Sequence, residues 1–258
     1  MNAWYMSGAG NDFMVIDGRG QTPDYSRLAL ELCKLADCDG FMAVDHSDIA
    51  HFKLHFYNAD GSRGEMCGNG ARCICRFAYD HGIAGEAMEV ETDAGLVPGW
   101  RLNENQYRVK LNNPSVLDLS RKGPIAYAEL GDPGVPHAVA EYVGDLWGDK
   151  EDIWDYMCAL RHDPAFPKGA NVNFYQVIGE NEVRVLTFER GVEDYTLACG
   201  TGCGALTAVL YTAGNLPGKK LTALNPGGTL RITVEDQAGL INGLLLEGPA
   251  EVIGEYEV

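Results

Sequence analysis

The feature that most restricts how this chain can fold is that it nearly repeats itself. Residues 65–82, EMCGNGARCICRFAYDHG, and residues 197–214, LACGTGCGALTAVLYTAG, run in step. Each reads Cys-Gly-x-Gly, then an apolar helical pattern, then a glycine fifteen positions after the cysteine, Gly82 in one and Gly214 in the other. Gly95 and Gly227 lie twenty-eight positions past their cysteines, in the glycine ends of MEVETDAG and LTALNPGG. Upstream, HFKLHFYNADGS and NEVRVLTFERGV alternate like strands before entering the loop that leads to the cysteine. A strand, loop, helix, strand unit that recurs once, 132 positions on, calls for two similar domains; a solenoid would need three or more short repeats. The glycines suit helix C′ positions, so each helix starts at its cysteine and runs about four turns.

Around these units the chain reads as many alternating strands: NDFMVID, QYRVKL, NVNFYQVI, TLRITVE and INGLLLEGPAEVIGEY. YSRLALELCKLAD and DIWDYMCALRHD add helical spacing. Strands surrounding one central helix per domain make the class α+β. The change of composition in LNNPSVLDLSRKGP marks the crossover. It gives a first domain over residues 1–114, rejoined by a last strand at 250–258, and a second over 115–249. The two cysteines come from opposite domains, so the active site is expected in the cleft between them.

Composition removes several classes of function. A formal charge of −17 leaves no excess of Lys and Arg to neutralise phosphates, which excludes a nucleic-acid partner. Residues 1–20 lack a basic start followed by a long apolar stretch, and the longest apolar helical window, Ala205 to Tyr211, is far short of the ~20 residues of a membrane span. The expectation is a cytoplasmic protein with no membrane partner. In that compartment the eight cysteines, at 33, 38, 67, 73, 75, 158, 199 and 203, are thiols rather than a disulfide framework. There is no Cys-x-x-Cys, and neither Cys73-x-Cys75 nor Cys199-x-x-x-Cys203 has a matching pair in zinc spacing, so no metal site is expected. A homodimer is the prior, although no stretch specifies an interface.

A cysteine at a helix N-terminus meets unsatisfied backbone N–H groups and the positive end of the helix dipole, which stabilise a thiolate or a bound carboxylate. Glycine at the next position leaves those amides accessible. Doubling the arrangement sets one sulfur on each face of a carbon whose carboxylate lies between two helix ends, a geometry suited to inverting a stereocentre. One thiolate would remove the α-proton while the opposing thiol delivers one. A free thiol titrates near ~8.5 and a helix start lowers that value, so both forms are expected to coexist near neutral pH. No Lys-centred phosphate site for a pyridoxal group is evident, so no cofactor is expected. Amides aimed at the developing charge would carry the stabilisation.

SGAGNDFMVID, FYNADGSRGEMCGNGARC and FERGVEDYTLACGTG resemble the motifs of the diaminopimelate epimerase family along essentially the whole chain. The resemblance implies two pseudo-symmetric domains, each a curved antiparallel or mixed sheet around a central helix. It also implies cofactor-free interconversion of LL- and meso-diaminopimelate, in lysine and peptidoglycan biosynthesis. It implies Cys67 and Cys199 as the acid/base pair, with His137 and Glu189 as catalytic partners. Backbone amides of Gly68, Asn69, Gly200 and Thr201 would hold the reacting carboxylate, and Asn11, Asn58, Asn171, Glu189 and Arg190 would bind the small amino-acid substrate. An amino-acid-like distal end suits an Arg for its carboxylate and Asn or Glu for its ammonium. A proline-racemase-like relative would carry His after the first Cys-Gly, where this chain has Asn69.

Two departures bear on specificity. Val135 in GVPH stands where the family has Asn, and Tyr195 stands where an acidic residue precedes the Thr. Losing one amide to a charged group costs on the order of 1.5–3 kcal/mol. A racemase of another amino acid with an altered distal pocket is therefore the alternative. A non-catalytic amino-acid-binding or thiol-redox protein is the third reading.

Overall fold

Alternation predicts strands half-exposed to water, yet DFMVID and GFMAVD are apolar at consecutive positions, the pattern of strands covered on both faces. In the computed structural model, which describes residues 2–21, 23–64 and 67–257, these segments are central strands sandwiched between helices. The chain divides into two compact units, Met1–Lys110 with Glu247–Val258 and Leu111–Leu246. The crossover thus falls a few residues ahead of Pro114, and the return precedes residue 250.

In chain order the first unit contains β1 (Asn2–Ser7), β2 (Asp12–Asp17), α1 (Tyr25–Ala36), β3 (Gly40–Asp45), β4 (Phe52–Asn58), α2 (Gly68–Asp80), β5 (Ala87–Thr92), β6 (Gly95–Arg101) and β7 (Gln106–Leu111). The second contains β8 (Pro114–Lys122), β9 (Ile125–Gly131), β10 (Gly134–Glu141), α3 (Trp154–Arg161), β11 (Asn171–Gly179), β12 (Glu182–Glu189), β13 (Asp194–Thr196), α4 (Gly200–Thr212), β14 (Lys220–Asn225), β15 (Gly228–Gln237) and β16 (Leu240–Pro249). β16 carries the chain back to the first unit, which ends with β17 (Glu251–Glu257).

The pairings in the two units match element by element. β1 and β2 are antiparallel, β2 and β3 parallel through α1, β3 and β4 antiparallel, β4 and β5 parallel through α2, and β5 and β6 antiparallel. β9 and β10, β10 and β11, β11 and β12, β12 and β14, and β14 and β15 repeat that series around α3 and α4. The duplication therefore includes two helices per unit, a wider repeat than the cysteine-centred one visible in the spacing.

Each unit sandwiches its sheet the same way. Ala29, Leu32 and Cys33 of α1 pack with Met14, Ile16, Phe41 and Ala43. The alternate residues Phe13 and Met42 meet Gly70 of α2. Met157 and Leu160 of α3 pack with Ala138, Val172, Phe174, Leu186 and Phe188 in the same way. Gly82 (φ 63°) and Gly214 (φ 74°) end α2 and α4 in the left-handed conformation that favours glycine. The next landmark slips by one. Gly95 pairs with Thr92 across its hairpin, and the residue that does so in the second unit is Gly228, opposite Asn225, not Gly227.

Candidate active site

Both long buried helices begin on a thiol. Cys67 caps α2 with extended backbone (φ −106°, ψ 124°), and Cys199 caps α4 likewise (φ −116°, ψ 106°). The Cys67 carbonyl accepts from Ala71 N–H at 2.8 Å and the Cys199 carbonyl from Cys203 N–H at 3.0 Å. The N–H groups before those find no carbonyl within the helix and form the positive dipole end. The motif's second glycine serves close packing. A Cβ at Gly70 would lie 3.1 Å from Met42 Sδ, and one at Gly202 only 2.1 Å from Asn173 Oδ1.

In the first unit Cys67 is half-buried, and its Sγ donates to Asn11 Oδ1 at 3.4 Å. Asn11 is held in turn by its Nδ2, which donates to Asp39 Oδ2 at 2.6 Å. Gly68 and Asn69 are buried. The Asn69 side chain turns inward, where its Oδ1 accepts from Arg72 Nη2 at 3.0 Å. Arg72 is fully buried and also donates to the Gly68 carbonyl at 3.0 Å. Asn69 therefore offers a ligand its backbone rather than its amide. Asn58 closes β4 and donates to Ser62 Oγ at 2.9 Å.

The second unit gathers the remaining site residues. Cys199 is 5% exposed. Its Sγ accepts from Gly202 N–H at 3.4 Å and lies 3.5 Å from Thr201 Oγ1. These contacts favour thiolate, but burial and then the Glu189 carboxylate outweigh them and push the thiol well above its ordinary range. The expectation that the helix start lowers this thiol's pKa is thus overturned at Cys199: desolvation dominates.

Asn171 is buried and clamps backbone, donating to the Pro136 carbonyl at 3.3 Å and accepting from Arg190 N–H at 2.8 Å. It thereby ties the His137 strand to the Glu189-Arg190 turn. Arg190 also donates from Nη1 to the Lys168 carbonyl at 3.2 Å. His137 is fully buried. Burial, and secondarily the charge of Arg190, lower its pKa to about 3, so the ring is neutral across the physiological range. Tyr195 is committed to packing and hydrogen bonding within its unit. Its ring meets Phe188 edge-on at 6.0 Å and its hydroxyl donates to the Lys150 carbonyl at 2.7 Å.

The register aligns the two sites residue by residue. Phe13 pairs with Gly40 as His137 pairs with Asn171, and Met42 with Phe56 as Asn173 with Thr187. Counting along these strands matches Asn58 to Glu189 and Asn11 to Val135. The family's Asn at 135 would thus have mirrored Asn11. Asn173 and Thr187, buried beside His137, escaped the sequence reading. The signal was there: Asn171 and Asn173 share one face of an otherwise apolar strand.

A family model described as diaminopimelate epimerase matches residues 3–117 and 132–253. The chain belongs to the diaminopimelate epimerase family. A diaminopimelate epimerase of Aquifex aeolicus is 36% identical, over 88% of this chain and 88% of its own length. Family members from Archaeoglobus fulgidus and Chlorobaculum tepidum are 33% and 34% identical. They cover 92% and 96% of this chain and 91% and 97% of their own lengths. Among solved structures, a Bacillus anthracis phenazine biosynthesis protein of the PhzF family superimposes with a TM-score of 0.73 at 16% identity, covering 100% of this chain and 98% of its own. A probable proline racemase from Agrobacterium radiobacter gives 0.73 at 15% identity, covering 100% and 92%. These two likenesses establish the fold. The protein is an isomerase of the diaminopimelate epimerase family, and among its described residues no helix is long and apolar enough to cross a membrane.

Proposed function

We propose that this chain interconverts LL- and meso-diaminopimelate, for lysine and peptidoglycan biosynthesis, by moving the α-proton between Cys67 and Cys199. The observation that carries the reading is the doubled motif, a cysteine capping a buried helix once in each unit, in a chain of this family. In this mechanism a thiolate removes the α-proton while the opposing thiol delivers its own to the other face. The configuration inverts and the two sulfurs exchange protonation states. Burial and the Glu189 carboxylate push the Cys199 thiol up, which suits it to proton donation, and the cysteine that acts as base is set by the isomer bound. Charge developing on the α-carboxylate is met by the N–H groups of Gly68, Asn69, Gly200 and Thr201. Asn11, Asn58, Asn171, Glu189 and Arg190 bind the substrate, several of them at its distal end.

The test is α-proton exchange in deuterated water under reducing conditions, followed by NMR, with LL- and meso-diaminopimelate among a panel of amino acids. Exchange and epimerisation of diaminopimelate are expected. Cys67→Ser and Cys199→Ser should each lower epimerisation about 10²- to 10⁴-fold. Undiminished exchange in the double variant would rule out thiol chemistry. Val135 favours a second reading, a related racemase with a re-addressed distal pocket. Exchange of a different amino acid in the same panel would select it.

A further inference from the structure

The two copies of the fold solve one packing problem with different chemistry. Beneath the start of α2 lie Phe13, Met42 and Phe56, with the rings of Phe13 and Phe56 6.0 Å apart. At the matching positions beneath α4 lie His137, Asn173 and Thr187, each 2% exposed or less. The first copy shows that the architecture is satisfied by apolar side chains here. A buried polar trio in the second therefore calls for a reason other than folding.

We propose that Asn173 is a positioning residue that fixes the tautomer of His137, leaving Nδ1 as the acceptor and Nε2 as the proton carrier. Asn173 Nδ2 lies 2.9 Å from the Asn171 carbonyl, 3.2 Å from the Ala138 carbonyl and 3.2 Å from His137 Nδ1. Two carbonyls can only accept, so the amide nitrogen must face them; turned over, its oxygen would oppose both. Thr187 Oγ1 donates to Asn173 Oδ1 at 3.0 Å and holds the other end. Gly202 leaves room for that oxygen where any side chain would displace it. The two amide protons are shared among these three acceptors, and with the NH₂ group fixed against Nδ1 a proton there would face another N–H and be repelled, so the ring's proton resides on Nε2.

Nε2 is buried and meets no partner among the described residues. Its N–H is a donor kept for whatever enters the site. The group that acts on the ring by charge is Arg190, and together with burial it keeps the imidazole neutral. Resting on the epimerase reading, this makes His137 a neutral hydrogen-bond donor to a carboxylate or thiolate of the reacting complex, rather than a base that Cys67 or Cys199 could draw upon.

The experiment is long-range ¹H–¹⁵N NMR of the histidine-labelled protein near neutral pH, with His137 assigned by its loss in His137→Phe, which copies Phe13. The wild type should show Nδ1 unprotonated and Nε2 protonated. Asn173→Met, which copies Met42, should replace that pattern with averaged shifts and lower kcat/KM by about ten- to a hundredfold, the scale of losing a ring's orienting partner. Thr187→Val, which keeps the NH₂ group, should retain the tautomer. Should Asn173→Met fail to fold, Asn173→Ser repeats the comparison. An Nδ1–H or doubly protonated ring in the wild type, or an unchanged tautomer without Asn173, would overturn the proposal. The tautomer is read without turnover. A protein that shows it yet does not epimerise diaminopimelate refutes the proposed reaction and leaves the positioning role standing.

Discussion

Glycine to alanine at the third position after each cysteine should separate the two halves of the molecule. At Gly202 the new methyl would lie 2.1 Å from Asn173 Oδ1, 3.0 Å from its Cγ and 3.3 Å from Cys199 Cβ. Asn173 cannot yield cheaply, because its amide is tied to Thr187, Asn171 and Ala138. Overpacking costs about 1–3 kcal/mol, and each buried polar group left unsatisfied adds about 1–3 kcal/mol. Against this, alanine gains at most about 1 kcal/mol of helix propensity. The net expectation for Gly202→Ala is a loss of about 2–4 kcal/mol. At Gly70 the methyl would meet Met42 Sδ at 3.1 Å, and a flexible thioether can move a few tenths of an ångström. Gly70→Ala should therefore lie within about 1 kcal/mol of the wild type. Calorimetry reads the contrast. At roughly 2–4 °C per kcal/mol for this size of domain, Gly202→Ala should lower Tm by about 5–15 °C while Gly70→Ala barely moves it. Equal shifts for the two variants, or a neutral Gly202→Ala, would refute the claim that Asn173 is fixed against this helix.

Other perturbations test other parts of the structure. Cys73 and Cys75 are fully buried in α2 and burial pushes both thiols up to about 12. The unfolded chain releases these protons first, so stability should fall as pH rises from about 9 toward 12, and urea midpoints across that window should show it. Alkylation followed by mass spectrometry should modify half-buried Cys67 and Cys158 long before buried Cys73, Cys75 and Cys203, and labelling of Cys67 should abolish exchange. Val135→Asn, which gives the second unit the equivalent of Asn11, should lower KM for diaminopimelate about tenfold or more, the worth of one amide on a charged group. An unchanged KM would show that position 135 does not meet the substrate.

Much of this was legible in the sequence because its signals are local. The Cys-Gly-x-Gly motif, the apolar run and the left-handed glycine at a fixed offset describe a helix and both of its ends, so α2 and α4 follow from spacing alone. The one-residue slip that replaces Gly227 by Gly228 lies in a hairpin, where register depends on pairing across strands. What the sequence hid depends on partners remote in the chain. Asn173 reads as one polar residue in NVNFYQV, and its meaning emerges only when β10 brings His137, β12 brings Thr187 and α4 brings Gly202. The Cys199 thiol is similar: the helix start argues for a lowered pKa, and the surroundings that bury it are supplied by the folded unit. Tyr195, read from its position as part of a specificity shell, is packed on Phe188, because β13 lies beside β12.

The pairing of β1 with β17, Asn2 with Glu257 through Ser7 with Glu251, has a consequence for how the protein is made. The second unit is continuous in sequence and has all its residues once Leu246 leaves the ribosome. The first begins earlier yet lacks its closing strand until β17 has been made, so during synthesis β1 offers an unsatisfied edge to any other strand nearby. Truncation ahead of β17 would leave that edge open for good, and its harm should appear as aggregation of chains whose second unit still folds.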